Sequence, residues 1–306
     1  MEIYLDNSAT TKQYDEVTSF MADIARTAYG NPSSLHSKGI EAERLVKSAR
    51  ETIAASLGAE EGEIYFTSGG TESNNLAIRG YLDANPRAGR HIITTKIEHP
   101  SVLEVYKHLE SLGYRVDYIS VDSSGFLDLS ELKRAINPET ALISIIYINN
   151  ETGIVQNFGE ISAIRDTINP GTVIHADAVQ AYGKIPLNPS KMGIGLMSMS
   201  SHKIHGPKGV GALFSSKKLR LKPIFFGGGQ EAFIRSGTEN VPGIAGFGLA
   251  SKLIFEKLEK NYEKAAVLKK RFIGLMDESD IEYRIISPPD SSPYILYKSR
   301  SAASPS

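Results

Sequence analysis

The chain has 306 residues, no cysteine and a formal net charge of −1. That length is enough for a large core with a smaller second unit; the balanced charge excludes an electrostatic case for nucleic acid; the missing cysteines exclude disulfides and thiolate-held metal. Hydrophobic and charged shares of 41% and 23% are ordinary for a globular protein, and no apolar run approaches the ~20 residues that span a bilayer.

The N-terminus opens directly on a strand-like Glu2-Ile3-Tyr4-Leu5 without a leader pattern, so a cytoplasmic address is expected. Residues 41–57 read as a helix, with Ala42, Leu45, Val46, Ala49, Ile53 and Leu57 on one stripe and Gly58 as its stop. Residues 92–95, 116–121, 141–148, 173–176 and 196–199 read as strands; 101–112 and 129–136 are helical stretches between them. Such alternation predicts an α/β domain with a mostly parallel sheet. Residues 141–148 are nearly all apolar, as suits a central strand covered on both faces. From Gly243 onward, apolar residues at helical spacing predict long bridging helices. Residues 281–286 and 294–297 read as strands of a second region, and 299–306 as a disordered tail. The expected division is a large α/β domain over 15–245, and a partial small α+β domain from 1–14 and 246–298.

The chemistry concentrates in Met199-Ser200-Ser201-His202-Lys203-Ile204-His205-Gly206-Pro207. Most lysines are solvated, but one held at a strand end inside a pocket can lose its proton and attack a carbonyl. Upstream, His175-Ala176-Asp177-Ala178-Val179-Gln180 puts a carboxylate at the end of another apolar run. An imine-forming lysine, plus an aspartate that can pair with a pyridinium nitrogen, is the minimal kit for pyridoxal 5′-phosphate; a helix cap is the plainer reading of the aspartate. Thr67-Ser68-Gly69-Gly70-Thr71-Glu72-Ser73-Asn74 reads as a small-residue turn opening a helix. Its free N–H groups suit a phosphate, with Gly70 allowing close approach and Thr71 adding a hydroxyl; the pattern is not a dinucleotide fingerprint. His99 stands where a strand-like run meets a helix beginning near Pro100. There it either caps the helix or stacks on a cofactor ring and shuttles protons. His99, His175, His202 and His205 lack any zinc-type spacing, so no metal is expected.

These segments, together with Leu5-Asp6-Asn7-Ser8, Gly30-Asn31-Pro32, Glu98-His99-Pro100, Asn149-Asn150-Glu151-Thr152-Gly153 and Arg235-Ser236-Gly237-Thr238, resemble the cysteine desulfurases of the class V aminotransferase family in order and spacing, over residues 3 to about 297. The resemblance implies a pyridoxal-phosphate transferase of fold type I acting on L-cysteine. It makes Lys203 and His99 catalytic, and Gly70, Thr71, His99, Asn150, Asp177, Gln180, Ser200, His202 and Lys203 cofactor-binding. Gln180 is implied to bond the cofactor's phenolic oxygen, and Ser200 and His202 its phosphate. Thr238 would reach the partner's phosphate site in a homodimer, and a sulfur-acceptor protein serving iron–sulfur cluster assembly is implied. In the family, further residues carry the acceptor cysteine and an arginine for the substrate carboxylate; this chain has no cysteine. Three functions are therefore carried forward: a desulfurase with an outside acceptor, a cysteine or selenocysteine lyase, and a silent cofactor- or partner-binding protein.

Overall fold

The computed structural model describes residues 3–280 and 282–300. An irregular N-terminal arm leads into helix α1 (Asp15–Thr27). Helix α2 (Ser37–Leu57) buries Ala42, Val46, Ala49, Ile53 and Leu57, the expected stripe. It starts earlier than its apolar pattern does, because His36 Nδ1 caps it by accepting from the Gly39 N–H. Gly58 ends it at φ 61°, where its N–H reaches the Ala54 and Ala55 carbonyls, a conformation that costs a glycine little.

Strand β1 (Ile64–Thr67) is followed by α3 (Gly70–Asn75), a π turn over Leu76–Gly80 and α4 (Tyr81–Ala84). The central run is β2 (His91–Thr95), α5 (Pro100–Ser111), β3 (Arg115–Ile119), α6 (Leu129–Ala135), β4 (Thr140–Ile146), α7 (Phe158–Ile168), β5 (Val173–Asp177), β6 (Leu196–Ser200) and β7 (Gly211–Ser215). Helices α8 (Val241–Phe255) and α9 (Leu258–Asp277) precede an antiparallel pair, β8 (Tyr283–Ile285) and β9 (Lys298–Arg300).

The main sheet runs β1-β7-β6-β5-β4-β2-β3. Strands β3, β2, β4, β5 and β6 pair in parallel, while β7 lies antiparallel to both β6 and β1. Every strand of this sheet except β7 therefore points the same way, and their carboxyl ends share one edge. Alternate residues feed opposite cores: Ile93, Ile143, Ile145 and Met197 join one, Ile92, Leu142 and Leu196 the other. All of β4 is buried, as expected of a strand covered on both faces.

Four expectations need correction. Residues 3–5 form no strand; Ile3 and Leu5 are exposed, with no strand among the described residues paired to them. Residues 294–297 form none either: Ile295 is apolar because it packs on Gly153, whose added Cβ would lie 3.0 Å from the Ile295 Cβ. The strand comes just after, so Ser299 and Arg300 belong to β9 and not to a loose tail; residues 301–306 lie outside the described residues. Val121 and Ile148 make only isolated bridges, so the strands expected to include them end at Ile119 and Ile146.

One ion pair secures the loop that leads to α8. Arg50 donates to both carboxylate oxygens of Glu231 (2.7 and 2.8 Å), and the Phe66 N–H donates to the same carboxylate (2.8 Å). Glu231, Ala232 and Phe233 all have positive φ (47°, 53° and 66°), a strained run for residues with side chains. The Glu231 side chain is 2% exposed. Arg50→Met leaves that charge buried with one backbone donor, and the expected loss is about 3–5 kcal/mol. Equilibrium urea unfolding measures it; a loss below ~1 kcal/mol would show that the pair does not hold the loop.

Candidate functional site

The carboxyl edge of the sheet opens into a cavity of about 1030 Å³, where ligands of open α/β sheets bind. The turn after β1 brings Gly70 and Thr71 to its wall, and the loop after β2 brings His99. Asn150 follows β4, Asp177 and Gln180 come from β5 and its turn, and Ser200, His202 and Lys203 from β6 and its turn. Thr238 is exposed and does not line this cavity.

Lys203 is held by the N-terminal arm. Its Nζ donates to the Ser8 carbonyl and to the Ala9 carbonyl (2.8 Å). The arm and the lysine turn are laced further. Thr11 N and Oγ1 both donate to the His202 carbonyl (3.0 and 2.8 Å), and the His205 N–H donates to Thr11 Oγ1 (2.7 Å). Burial pulls the Lys203 amine below its ordinary range, while Asp177 and Asp6 oppose this. A lysine with a lowered pKa and an open cavity in front of it is a usable nucleophile and base.

Asp177 ends β5 and is buried. Its Oδ1 accepts from the Val179 N–H (3.1 Å) and its Oδ2 from Asn74 Nδ2 (2.8 Å). Burial raises its pKa; Asn74, the Val179 N–H and the charges of His99 and Lys203 pull it back. Asn74 Nδ2 also donates to Ser101 Oγ (2.8 Å), which lies 2.7 Å from His99 Nδ1. The Ser101 N–H donates to the same nitrogen (3.1 Å). Nδ1 is thus an acceptor, which puts a ring proton on Nε2. His99 is both the N-cap of α5 and a wall of the cavity, so its two readings hold together.

The opposite wall suits an anion. Gly69 has φ 149° and leads into the α3 N–H groups. Ser200 Oγ is buried without a hydrogen-bond partner among the described residues. Burial, with Lys203, Lys208 and Lys184 nearby, lowers His202 to about 4. Behind this turn, burial raises Glu72, but bonds from Arg235 (2.8 Å) and the Ser68 N–H (2.8 Å) bring its pKa below the ordinary value.

Sequence reasoning gave no role to Asn74, Ser101, Glu98 or Lys184. Asn74 stood inside the turn motif without a role of its own, and Ser101 as a polar residue beside His99 and Pro100. Glu98 is buried, with Oε1 accepting from Thr95 Oγ1 (2.6 Å) and Oε2 unpartnered among the described residues; burial raises it to about 8. Lys184 is buried behind Gln180. Of the histidines, only His99 and His202 line the cavity. His175 sits inside the sheet, between Ser144 Oγ (3.1 Å) and Ser198 Oγ (3.0 Å).

The family model for class V aminotransferases matches residues 3–292. The chain belongs to the class V aminotransferase family. A cysteine desulfurase of Nostoc sp. is 49% identical over 269 residues, which is 88% of this chain and 66% of the relative. The cysteine desulfurase IscS of Dictyoglomus turgidum is 45% identical over 272 residues, 89% of this chain and 68% of the relative. A solved NifS-like protein superposes with a TM-score of 0.92 at 41% identity, over 96% of this chain and 80% of that one. A structure described as SspA in complex with cysteine gives 0.87 at 34% identity, over 95% and 82%. This family member thus spans about two thirds of the Nostoc relative's length. Its α/β fold with a mostly parallel sheet is the fold type I architecture of the NifS-like neighbours.

Burial lowers His175 to about 3. Between its ordinary value near 6.5 and about 3 the unfolded chain binds the extra proton. Its contribution is therefore complete above that window and is lost as pH falls through it. His175→Asn should flatten the acid-side loss by up to about 1.4 kcal/mol per pH unit when urea midpoints at neutral and mildly acidic pH are compared. An unchanged slope would remove His175 as a cause.

Proposed function

We propose that this chain binds pyridoxal 5′-phosphate and, with its help, removes sulfur from L-cysteine. The observation that carries the proposal is one cavity that holds both a half-buried lysine with a lowered pKa and a buried aspartate that makes no ion pair among the described residues. The residues fit the cofactor. Asp177 can accept from a protonated ring nitrogen, and the unpartnered Ser200 Oγ, with Gly70, Thr71 and His202, can take a phosphate. When bound, pyridoxal 5′-phosphate supplies an electron sink for negative charge at the substrate's Cα.

The chain's own groups do the rest. Lys203 Nζ would hold the cofactor and move the Cα proton. Asp177 would keep the ring nitrogen protonated, and Gln180 would donate to the phenolic oxygen. His99, with a proton on Nε2, would serve as a ring partner and proton donor, and Asn150 would add an amide for the substrate. L-cysteine and a thiol then yield L-alanine and a persulfide. These 306 residues hold no cysteine, so the acceptor thiol is not among them; a small thiol or an acceptor protein can serve, with iron–sulfur cluster assembly as one use. A homodimer belongs to the same proposal. Thr238 is exposed, and the loop before it carries Phe226 (89% exposed) and Phe233 (73%), apolar surface of the kind that marks an interface. The large-domain and small-domain division and the cytoplasmic address also stand with this proposal.

The absence of a cysteine in the chain favours one second reading, elimination of cysteine to pyruvate, sulfide and ammonia. Product analysis separates the two. With the cofactor-loaded chain and L-cysteine, alanine that disappears in Lys203→Ala supports desulfuration. Pyruvate supports the lyase, and neither product supports a silent binding protein. Lys203→Ala should also abolish the visible absorbance of the loaded protein, and an unchanged spectrum would overturn the assignment of Lys203.

A further inference from the structure

Lys184 is an unusual lysine for a turn. Its side chain is buried, its Nζ donates to Gln180 Oε1 (2.6 Å), and it lies 6.0 Å from the Tyr294 ring centroid. The preceding Gly183 has φ 71°, and a Cβ there would meet Ile204 Cγ2 at 2.7 Å, so the chain reverses tightly and Lys184 is carried inward. The other end of the Gln180 amide is also committed: Nε2 donates to the Ser8 carbonyl (2.8 Å), the same oxygen that accepts from Lys203. A carbonyl can only accept, and a charged ammonium can only donate. Between them they leave the Gln180 amide a single orientation.

That orientation has a direction relative to the cavity. Ser8, Gln180 and Lys203 line it, and Lys184 does not. The nitrogen end of the amide is therefore the cavity end, and Nε2 has a second hydrogen beyond the one given to Ser8. We propose that Lys184 is a positioning residue: by donating to Gln180 Oε1 it fixes Gln180 as a hydrogen-bond donor to the acceptor oxygen of the bound cofactor. This rests on the reading that the cavity binds pyridoxal 5′-phosphate. Without Lys184 the Ser8 carbonyl is the one remaining tether of the amide named here, and Oε1 loses the donor that opposes a turn; a turned amide would offer its oxygen, which repels a phenolate. The other ionisable groups around Lys184 are Lys203, His202, His205 and the Tyr294 hydroxyl. Burial, reinforced by Lys203, lowers Lys184 to about 7; the neutral amine keeps its N–H donors, and the Ser8 carbonyl still requires the nitrogen end of the amide.

The test is a double-mutant cycle on the pH titration of the visible band of the cofactor-loaded protein. A donor to the phenolic oxygen favours the less protonated chromophore. Lys184→Met and Gln180→Ala should therefore each raise the titration midpoint, by about 0.7 of a pH unit for one hydrogen bond. The double variant should shift no further than either single one. If the shifts add, Lys184 acts only through its charge and the proposal falls; it also falls if Lys184→Met leaves the midpoint in place. Lys184→Leu carries the same cycle if the Met variant does not fold. A wild-type protein that shows no visible band after loading would overturn the cofactor reading and this inference together. A normal band with additive shifts overturns this inference alone.

Discussion

A carboxylate kept from water at the end of β5 is the constraint around which the site is arranged. Asp177 is tolerable there because each oxygen has a donor, from Val179 and from Asn74. Asn74 reaches it only if α3 lies close against the β5 turn. That closeness requires Gly70, where a Cβ would come 2.7 Å from Val179 Cγ2. The turn that offers N–H groups to an anion, and the amide that feeds a proton donor chain to His99, are thus both consequences of satisfying one buried charge.

The second element of order is the N-terminal arm. By secondary structure it is irregular, and Ile3 and Leu5 face solvent. Yet Ser8, Ala9, Thr10 and Thr11 each bond to the lysine turn or to Gln180. An arm without regular structure therefore fixes three cavity side chains at once. Its carbonyl oxygens take the Lys203 ammonium in place of water, and they leave that lysine free of a carboxylate partner that would hold its proton too firmly.

The central strands were legible because burial on both faces writes an unbroken apolar run, as in β4. The two antiparallel neighbours β1 and β7 were not, because each is short and abuts a glycine-rich turn that dominates the local pattern. The run at 294–297 misled for a physical reason: Ile295 is apolar in order to seal the cavity wall, not to pair in a sheet. Most of the cavity residues were readable as polar or glycine positions at strand ends, where an α/β sheet puts its chemistry. Asn74 and Lys184 were not, since an amide inside a helix and a lysine after a glycine carry no mark of burial. Their roles arise from contacts with residues more than a hundred positions away for Asn74, and from a tight inward turn for Lys184.

The reversal of β7 has a kinetic consequence. Because β6 and β7 are antiparallel neighbours, the turn bearing Lys203 closes a short hairpin, with Ser200 opposite Gly211. A loop of that length closes at small entropic cost, whereas β1 must find β7 across nearly half of the chain, with Thr67 opposite Gly211. The lysine turn can thus take shape locally, on the microsecond scale of hairpins. The glycine turn after β1 arrives with the slower, non-local docking of β1. The hairpin can thus form before the N-terminal arm, the β1 turn and the rest of the cavity wall arrive from distant parts of the chain.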